Sequence, residues 1–386
     1  MVASRIDRRG VLTAAAAMLL AGCSIIPKTP APTRAPAPAP TAEPSATVLP
    51  QDEGRHRVAL LVPLTGDNGA VGQSIANATT MAILDTGAQN LRITTYDTAK
   101  GAREAAGQAI ADGNALILGP LLGSNVGEVQ AEARRARVPL VSFTNDQAVA
   151  GPDVFVMGIL PEQSVARTMR HVANAGARDF AILAPEGDYG DRVQKAALDI
   201  ARAVGADVAT TERYARSNTS VVSAAERVRA VGGVDGVVIA DGARLAAQGG
   251  SILKPGGRGT MQIIGTELWS GDPAILRSSA LDGALFASVS DKLYAGFVNS
   301  YESRFGSKPY RIATLGYDAV LLTLRIARDW RVGRPFPVDQ LRSSGGFTGV
   351  DGAFRFQRSG VVERAMEVRQ INKGTVQIVS EAPAGF

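Results

Sequence analysis

Cysteine and histidine are nearly missing from this chain. One cysteine, Cys23, and two histidines, His56 and His171, occur in 386 residues. A single cysteine excludes an intramolecular disulfide, so the fold must hold through its core even in an oxidising compartment. The same scarcity leaves no His/Cys cluster at zinc-binding spacing. A serine nucleophile needs a base. His56 lies at the end of a Pro-rich leader, and His171, next to Arg170, reads most simply as a surface position on a helix. The glycine-rich run Gly119–Gly123 lacks both the lysine and the spacing of a phosphate loop. Acid pairs such as Asp188 with Asp191, and Asp97, exist, so the residues alone leave a glycosidase's two carboxylates open. The formal charge of +5 is not gathered into a basic stripe, and aromatics are only 5% of the chain, so a nucleic-acid surface is excluded. Beyond the first 22 residues no apolar run approaches the length of a spanning helix. The expectation from these scarcities is no enzyme, no cofactor and no metal, but a protein that binds or docks.

What is present begins at the amino terminus. Arg5, Arg8 and Arg9 precede an apolar stretch from Val11 to Leu20, and Leu20-Ala21-Gly22-Cys23 closes it. This is an export signal, too short to anchor as a spanning helix. Its end resembles the lipobox of bacterial lipoproteins, which implies cleavage after residue 22 and lipid attachment at Cys23. Arg8-Arg9-Gly10-Val11-Leu12 also resembles a twin-arginine signal, and both export routes stay open. Serine, not aspartate, follows Cys23; by the lipoprotein resemblance this implies the outer membrane rather than the inner, on the periplasmic face. Residues 23–55 are rich in proline, alanine and threonine, including Ala35-Pro36-Ala37-Pro38-Ala39-Pro40. Such a stretch cannot bury enough apolar surface to fold and favours extended polyproline geometry, so it reads as a semi-rigid tether.

From His56 onward short apolar runs alternate with amphipathic ones. Strands are expected at Val58–Leu64, Leu91–Tyr96, Ala115–Leu118 and Val138–Phe143, with helices at Val71–Leu84, Ala102–Ala111 and Val126–Arg135. A second series starts near Val154. Its strands are Phe180–Leu183, Ala206–Glu212, Val237–Ala240 and Gln262–Gly265, and its helices are Pro161–Asn174, Arg192–Val204, Val221–Val231 and Ala243–Ile252. This rhythm predicts two lobes of parallel sheet with helices on both faces. In such sheets ligands bind at the carboxyl ends of the strands. Those ends are polar and turn-forming here: Thr65-Gly66-Asp67, Ser124-Asn125, Ser142 to Asp146, Glu186 to Gly190, Asp241-Gly242 and Thr266 to Trp269. Thr65, Ser124 and Asp241 also stand where helix N-caps are expected.

Pro63-Leu64-Thr65-Gly66 with Gly69 to Gly72, Ala313 to Leu321, and the tail from Phe347-Thr348-Gly349 through Gly352, Phe356 and Gly360 together resemble the type I periplasmic binding proteins of the leucine-binding group. Narrower stretches are similar to the penicillin-binding protein activators, lipoproteins of the LpoA kind. These are Ala59 to Gly66, Tyr96-Asp97-Thr98, Ile117 to Leu122, Ser142 to Asp146 and Tyr189-Gly190. There are departures. The Asn-x-x-Gly-Gly-Ile-x-Gly stretch of amino-acid-binding members is absent from Leu84–Asn90, and Asp146 stands where those members carry a threonine. An aspartate there repels a carboxylate and suits an ammonium group. The helical-repeat domain of the well-studied activator is also missing; the tether occupies its place.

The resemblance implies two doubly wound αβ lobes joined by a three-crossing hinge, with crossings near Val156, Ser288 and Val362. Residues 56–156 and 289–362 would form lobe 1, and 157–288 with 363–386 lobe 2. The cleft between them would carry Thr65, Ser124, Asn125, Ser142, Thr144, Asn145, Asp146, Glu186, Tyr189, Asp241, Glu267 and Trp269. Arg244, at a helix start, is expected to pair with a neighbouring acid. The first functional expectation is a lipid-anchored regulator of a peptidoglycan synthase, a penicillin-binding protein. The second is a receptor that delivers an amino-acid-like ligand to an ABC permease.

Overall fold

The computed structural model describes residues 54–257 and 259–386. The expected signal, Cys23 and the tether up to residue 53 lie outside the described residues.

The first parallel sheet is built from β1 (His56–Val62), β2 (Leu91–Asp97), β3 (Leu116–Leu118), β4 (Leu140–Ser142) and β5 (Val154–Val156), in the order β2-β1-β3-β4-β5. Val58 to Val62 are fully buried, because helices cover both faces. These are α1 (Gly69–Thr86), α2 (Ala102–Ala111) and α3 (Gly123–Ala136). The second sheet takes β6 (Asp179–Pro185), β7 (Asp207–Tyr214), β8 (Gly236–Ile239), β9 (Gln262–Ile264) and β10 (Leu285–Val289) in the order β7-β6-β8-β9-β10. The strand order of the first sheet is therefore repeated. Its helices are α4 (Pro161–Asn174), α5 (Asp188–Ala203), α6 (Asn218–Val231) and α7 (Ala243–Leu253).

After β10 the chain returns to the first lobe. There α8 (Tyr294–Phe305) and α9 (Thr314–Ile326) precede a small antiparallel sheet of β11 (Phe347–Gly349), β12 (Gly352–Phe356) and β13 (Val362–Arg364). Leu315, Ala319, Val320, Phe347 and Phe354 share one core with Val58, Leu60 and Val62. The chain then crosses back, and β14 (Met366–Asn372) extends the second sheet antiparallel to β10, with β15 (Thr375–Ser380) antiparallel to β14 at the edge. Three passages thus connect the lobes: after β5, after β10, and between β13 and β14.

Helices Ala102–Ala111 and Pro161–Asn174 coincide with the sequence expectation. Three others begin about a turn earlier than their apolar periodicity suggests. α3 starts at Gly123 rather than Val126, α5 at Asp188 rather than Arg192 and α6 at Asn218 rather than Val221, because their first turns carry polar and glycine residues. The expected N-caps do not form. The residues that precede α1, α3 and α7 are Asn68, Leu122 and Gly242, none with a side-chain cap bond. The Thr65 hydroxyl is spent on Asp97, Ser124 lies inside the first turn, and Asp241 accepts from the N–H of Gly242. Among the described residues no helix is long and apolar enough to cross a membrane.

Candidate functional site

The two lobes build their strand-end loops alike. Pro63 follows β1 and Gly72 lies in the first turn of α1; a Cβ on Gly72 would stand 1.7 Å from the Pro63 carbonyl oxygen. In the second lobe a Cβ on Gly190 would stand 1.8 Å from the Pro185 carbonyl oxygen. Only glycine lets each helix approach its strand end this closely.

On the first lobe Asp97 organises the β1 loop. Its carboxylate accepts from the Leu64 N–H at 2.7 Å, the Ala99 N–H at 3.0 Å and the Thr65 hydroxyl at 3.0 Å. Partial burial opposes its charge, but these bonds outweigh that and hold the carboxyl below its ordinary range. Ser142 is fully buried and donates to the Pro120 carbonyl at 2.8 Å. Thr144 is buried, and its hydroxyl accepts from the Asp146 N–H at 3.1 Å. Asp146 in turn accepts from the Ala148 N–H at 2.9 Å. The loop after β4 therefore spends Ser142, Thr144 and Asp146 on its own shape. Ser124 is exposed and Asn125 half-buried in the first turn of α3.

On the second lobe Tyr189 reaches from α5 to the loop after β9. Its hydroxyl lies 2.9 Å from the Thr266 hydroxyl and donates to Glu267 Oε1 at 3.0 Å. Burial pushes the Glu267 carboxyl up to about 8, and its Oε2 is buried without a partner. Asp241 lies in the loop after β8 and accepts from the Tyr214 hydroxyl at 3.0 Å, with Arg216 at 3.4 Å. Trp269 belongs to the core rather than to the cleft lining. It is fully buried beside Phe286, with its indole N–H donating to the Asp241 carbonyl at 2.9 Å. A flat indole is accepted there because Gly265 leaves room for it; a Cβ on Gly265 would stand 2.3 Å from the ring. Glu186 is exposed. Arg244 donates to Asn218, an amide and not the expected acid.

Two residues that the sequence reading passed over join the lobes. Arg192, in α5, pairs with Glu162, in α4, through Nε–Oε1 at 2.8 Å and Nη2–Oε2 at 3.2 Å. Its Nη2 also donates to the carbonyl oxygen of Asn145, in the first lobe. Burial opposes the guanidinium charge, and the Glu162 carboxylate overcomes it. A groove of about 400 Å³ runs beside this contact, lined in part by Gln147, Glu162, Arg170 and Arg192. The signal for Arg192 was its place one turn after Tyr189 in the same helix; the partner in the other lobe had no signal.

The hinge carries a second set of unanticipated contacts. Asp291, just past β10, binds Arg311 of the first lobe at 3.3 Å through one oxygen and Arg369 of the second lobe through the other. Arg311 continues to buried Asp351 at 2.7 Å, and Arg369 to buried Glu367 at 2.7 Å. Charges of alternating sign thus run from one lobe to the other. Arg364 and Gln163 lace the other two crossings: Arg364 donates to the Met157 carbonyl at 2.6 Å, and Gln163 donates to the Val362 carbonyl at 2.5 Å.

His56 lies at the expected start of the first lobe. It opens β1, is buried, and stacks on Trp330 with ring centroids 4.0 Å apart. His171 is half-buried in α4, where burial and then Arg167 push its pKa down. Among the described residues no group of three or more His, Cys, Asp or Glu side chains could hold a metal ion.

The family model for periplasmic binding proteins matches residues 56–375. An uncharacterized protein, RP748, of Rickettsia prowazekii is 21% identical over 188 residues, covering 48% of this chain and 50% of that protein. The penicillin-binding protein activator LpoA of Vibrio cholerae is 28% identical over 144 residues, covering 36% of this chain and 24% of the activator. The chain thus spans half or less of the curated relatives it matches. Among solved structures, the leucine binding protein LivK of Thermotoga maritima superposes with a TM-score of 0.64 at 19% identity, over 85% of this chain and 98% of that one. At that identity the likeness concerns the fold.

Proposed function

The chain belongs to the periplasmic binding protein family, and on that premise we propose that it is a non-enzymatic, lipid-anchored regulator that docks on a penicillin-binding protein. A periplasmic location follows from the family. The observation that carries the proposal is that the cleft is held by the chain's own side chains. Arg192 ties Glu162 to the Asn145 carbonyl, Tyr189 is spent on Glu267, and Ser142 and Thr144 on their own loop. A carrier needs lobes that part to admit and release a solute. A docking protein is better served by lobes latched into one surface. The relationship to the activator supports the choice of partner. Lipid at Cys23 with the tether of residues 23–55 would hold the folded body away from the outer membrane and within reach of a synthase.

A second reading is favoured by two observations. The fold matches a leucine binding protein along nearly its whole length. Glu267 Oε2 is a buried polar atom without a partner, next to a cleft that also holds Asp146. On this reading the chain is a receptor for an amino-acid-like ligand and serves an ABC permease.

Calorimetry with amino acids, paired with affinity capture from envelope extracts, separates the two. The regulator reading expects no tight amino-acid binding and recovery of a penicillin-binding protein. Submicromolar amino-acid affinity with recovery of a permease reverses the ranking. Cys23→Ala should release the protein from membranes; retention removes the anchor from the proposal.

A further inference from the structure

The two edges of the seven-stranded sheet are not alike. At one edge, β7 carries Asp207, Glu212 and Arg213, with Glu212 paired to Arg227 at 2.5 Å. Charge of this kind blunts an edge against other strands. At the opposite edge lies β15, Thr375-Val376-Gln377-Ile378-Val379-Ser380, with no charge, no proline and no glycine. Val376, Ile378 and Val379 are 38%, 48% and 41% exposed. Among the described residues nothing pairs with this edge, and its ladder is regular from Thr375 to Ile378, before a one-residue bulge at Val379; a neutral, partly apolar edge left open in this way is a template for another strand.

The backbone of this edge can be read from the turn before it. Lys373 and Gly374, at φ 47° and 79°, connect β14 to β15 as a two-residue hairpin. Asn372 and Thr375, which flank the turn, are then a hydrogen-bonded pair. Antiparallel pairs alternate, so the N–H and C=O groups of Val376 and Ile378 face away from β14.

We propose that β15 pairs antiparallel with β15 of a second copy of this chain, in the register that sets Val376 against Ile378 of the other copy. Two independent features select that register. Outward-facing backbone groups must meet outward-facing ones, which allows only shifts of two residues. Of those, this register alone also brings Lys373, before the strand, against Glu381 of the second copy, after it, and does so at both ends. The same pairing gathers Val376 and Ile378 of both copies on one face. The two-fold axis passes through Gln377, so the contact is self-complementary and closes at two copies instead of growing into a fibre. The area of one strand pair is small, so the association is weak and concentration-dependent.

Sedimentation velocity of the full chain over a concentration series tests this. The wild type should shift from monomer to dimer as concentration rises. Ile378→Pro removes an N–H that faces outward, a position an edge strand tolerates, so the variant should stay folded by circular dichroism and remain monomeric. Lys373→Glu sets like charges together at both ends and should raise the dimer dissociation constant by about tenfold. The double variant K373E/E381K restores opposite charges and should recover most of the wild-type association. A wild type that stays monomeric, a dimer unmoved by Ile378→Pro, a charge effect not rescued by the double variant, or growth beyond two copies would each overturn the proposal.

Discussion

Arg192 of the second lobe donates to the carbonyl oxygen of Asn145 in the first while it holds Glu162 in a two-point ion pair. One side chain thereby closes the distance between lobes whose polypeptide connections are elsewhere. The contact is to a backbone oxygen, so it depends on the shape of the loop after β4 and not on which side chain Asn145 carries.

Removal of that contact should loosen the lobes. Arg192→Met leaves Glu162, whose side chain is 13% exposed, without its partner. The expected loss is about 1–3 kcal/mol in denaturant unfolding, together with a larger radius of gyration by small-angle scattering. Glu162→Gln added to Arg192→Met should cost less than the sum of the two single changes, because the second change removes a charge already stranded by the first. An unchanged radius of gyration in Arg192→Met would remove the latch from the account of the cleft.

Glu267 predicts an unusual pH dependence. Its carboxyl titrates at 4.5 ordinarily and is pushed up by burial to about 8 in the folded chain. Between those values the folded state keeps a proton that the unfolded state has lost. Stability from this group is therefore complete below its ordinary pKa and falls as pH rises, by up to about 1.4 kcal/mol per pH unit, until the folded pKa is passed. Asp318, pushed up to about 7 by burial and then by Asp351, acts in the same direction. Denaturant midpoints measured at pH 5 and pH 8 should fall across that interval in the wild type. The fall should be smaller in Glu267→Gln; an equal fall in both would contradict the assignment.

Four glycines should divide into two classes. Gly72→Ala and Gly190→Ala put a Cβ within 1.7 and 1.8 Å of a carbonyl oxygen. Each should cost about 3 kcal/mol or more, since the backbone itself must shift. Gly107 and Gly127 lie inside α2 and α3, where an added methyl group would have nothing within 4 Å. Alanine at either should stabilise by about 0.5–1 kcal/mol through helix propensity. Thermal melts of the four variants check both signs.

Asp291 should be the sensitive member of the hinge. Asp291→Ala disconnects Arg311 from Arg369 and leaves the mostly buried Arg369 with Glu367 as its remaining carboxylate. A loss of about 1–2 kcal/mol is expected, less than for a fully buried pair because Asp291 is itself 40% exposed. Amide exchange should quicken on both sides of the hinge, around Val289 and Val350. Exchange confined to one side would argue that the charges act as separate pairs.

The candidate site was only partly legible. Tyr189 and Glu267 stand out as polar residues at strand ends, and the structure brings them into one hydrogen bond. Trp269 carries the same positional signal yet lies in the core, because a large aromatic near a strand end can turn inward wherever a glycine such as Gly265 leaves space. Arg192, Glu162 and the hinge charges were passed over because each is an ordinary helix or strand residue in its local context. Glu162 and Arg192 are thirty positions apart, and Asp291 and Arg369 seventy-eight. No local pattern links them.

The sequence by itself determined the local and periodic features. Apolar runs alternating with amphipathic ones dictated parallel sheets covered on both faces, and the recurrence of that rhythm dictated two lobes. Those features follow from hydrophobic burial at short range, which any window of a dozen residues records. The tertiary structure alone decided which strand-end side chains face the cleft, which serve the core, and how charges from distant segments meet at the hinge. Such contacts arise only when the crossings fold segments far apart in the chain against one another, and their energies depend on burial that no single segment creates.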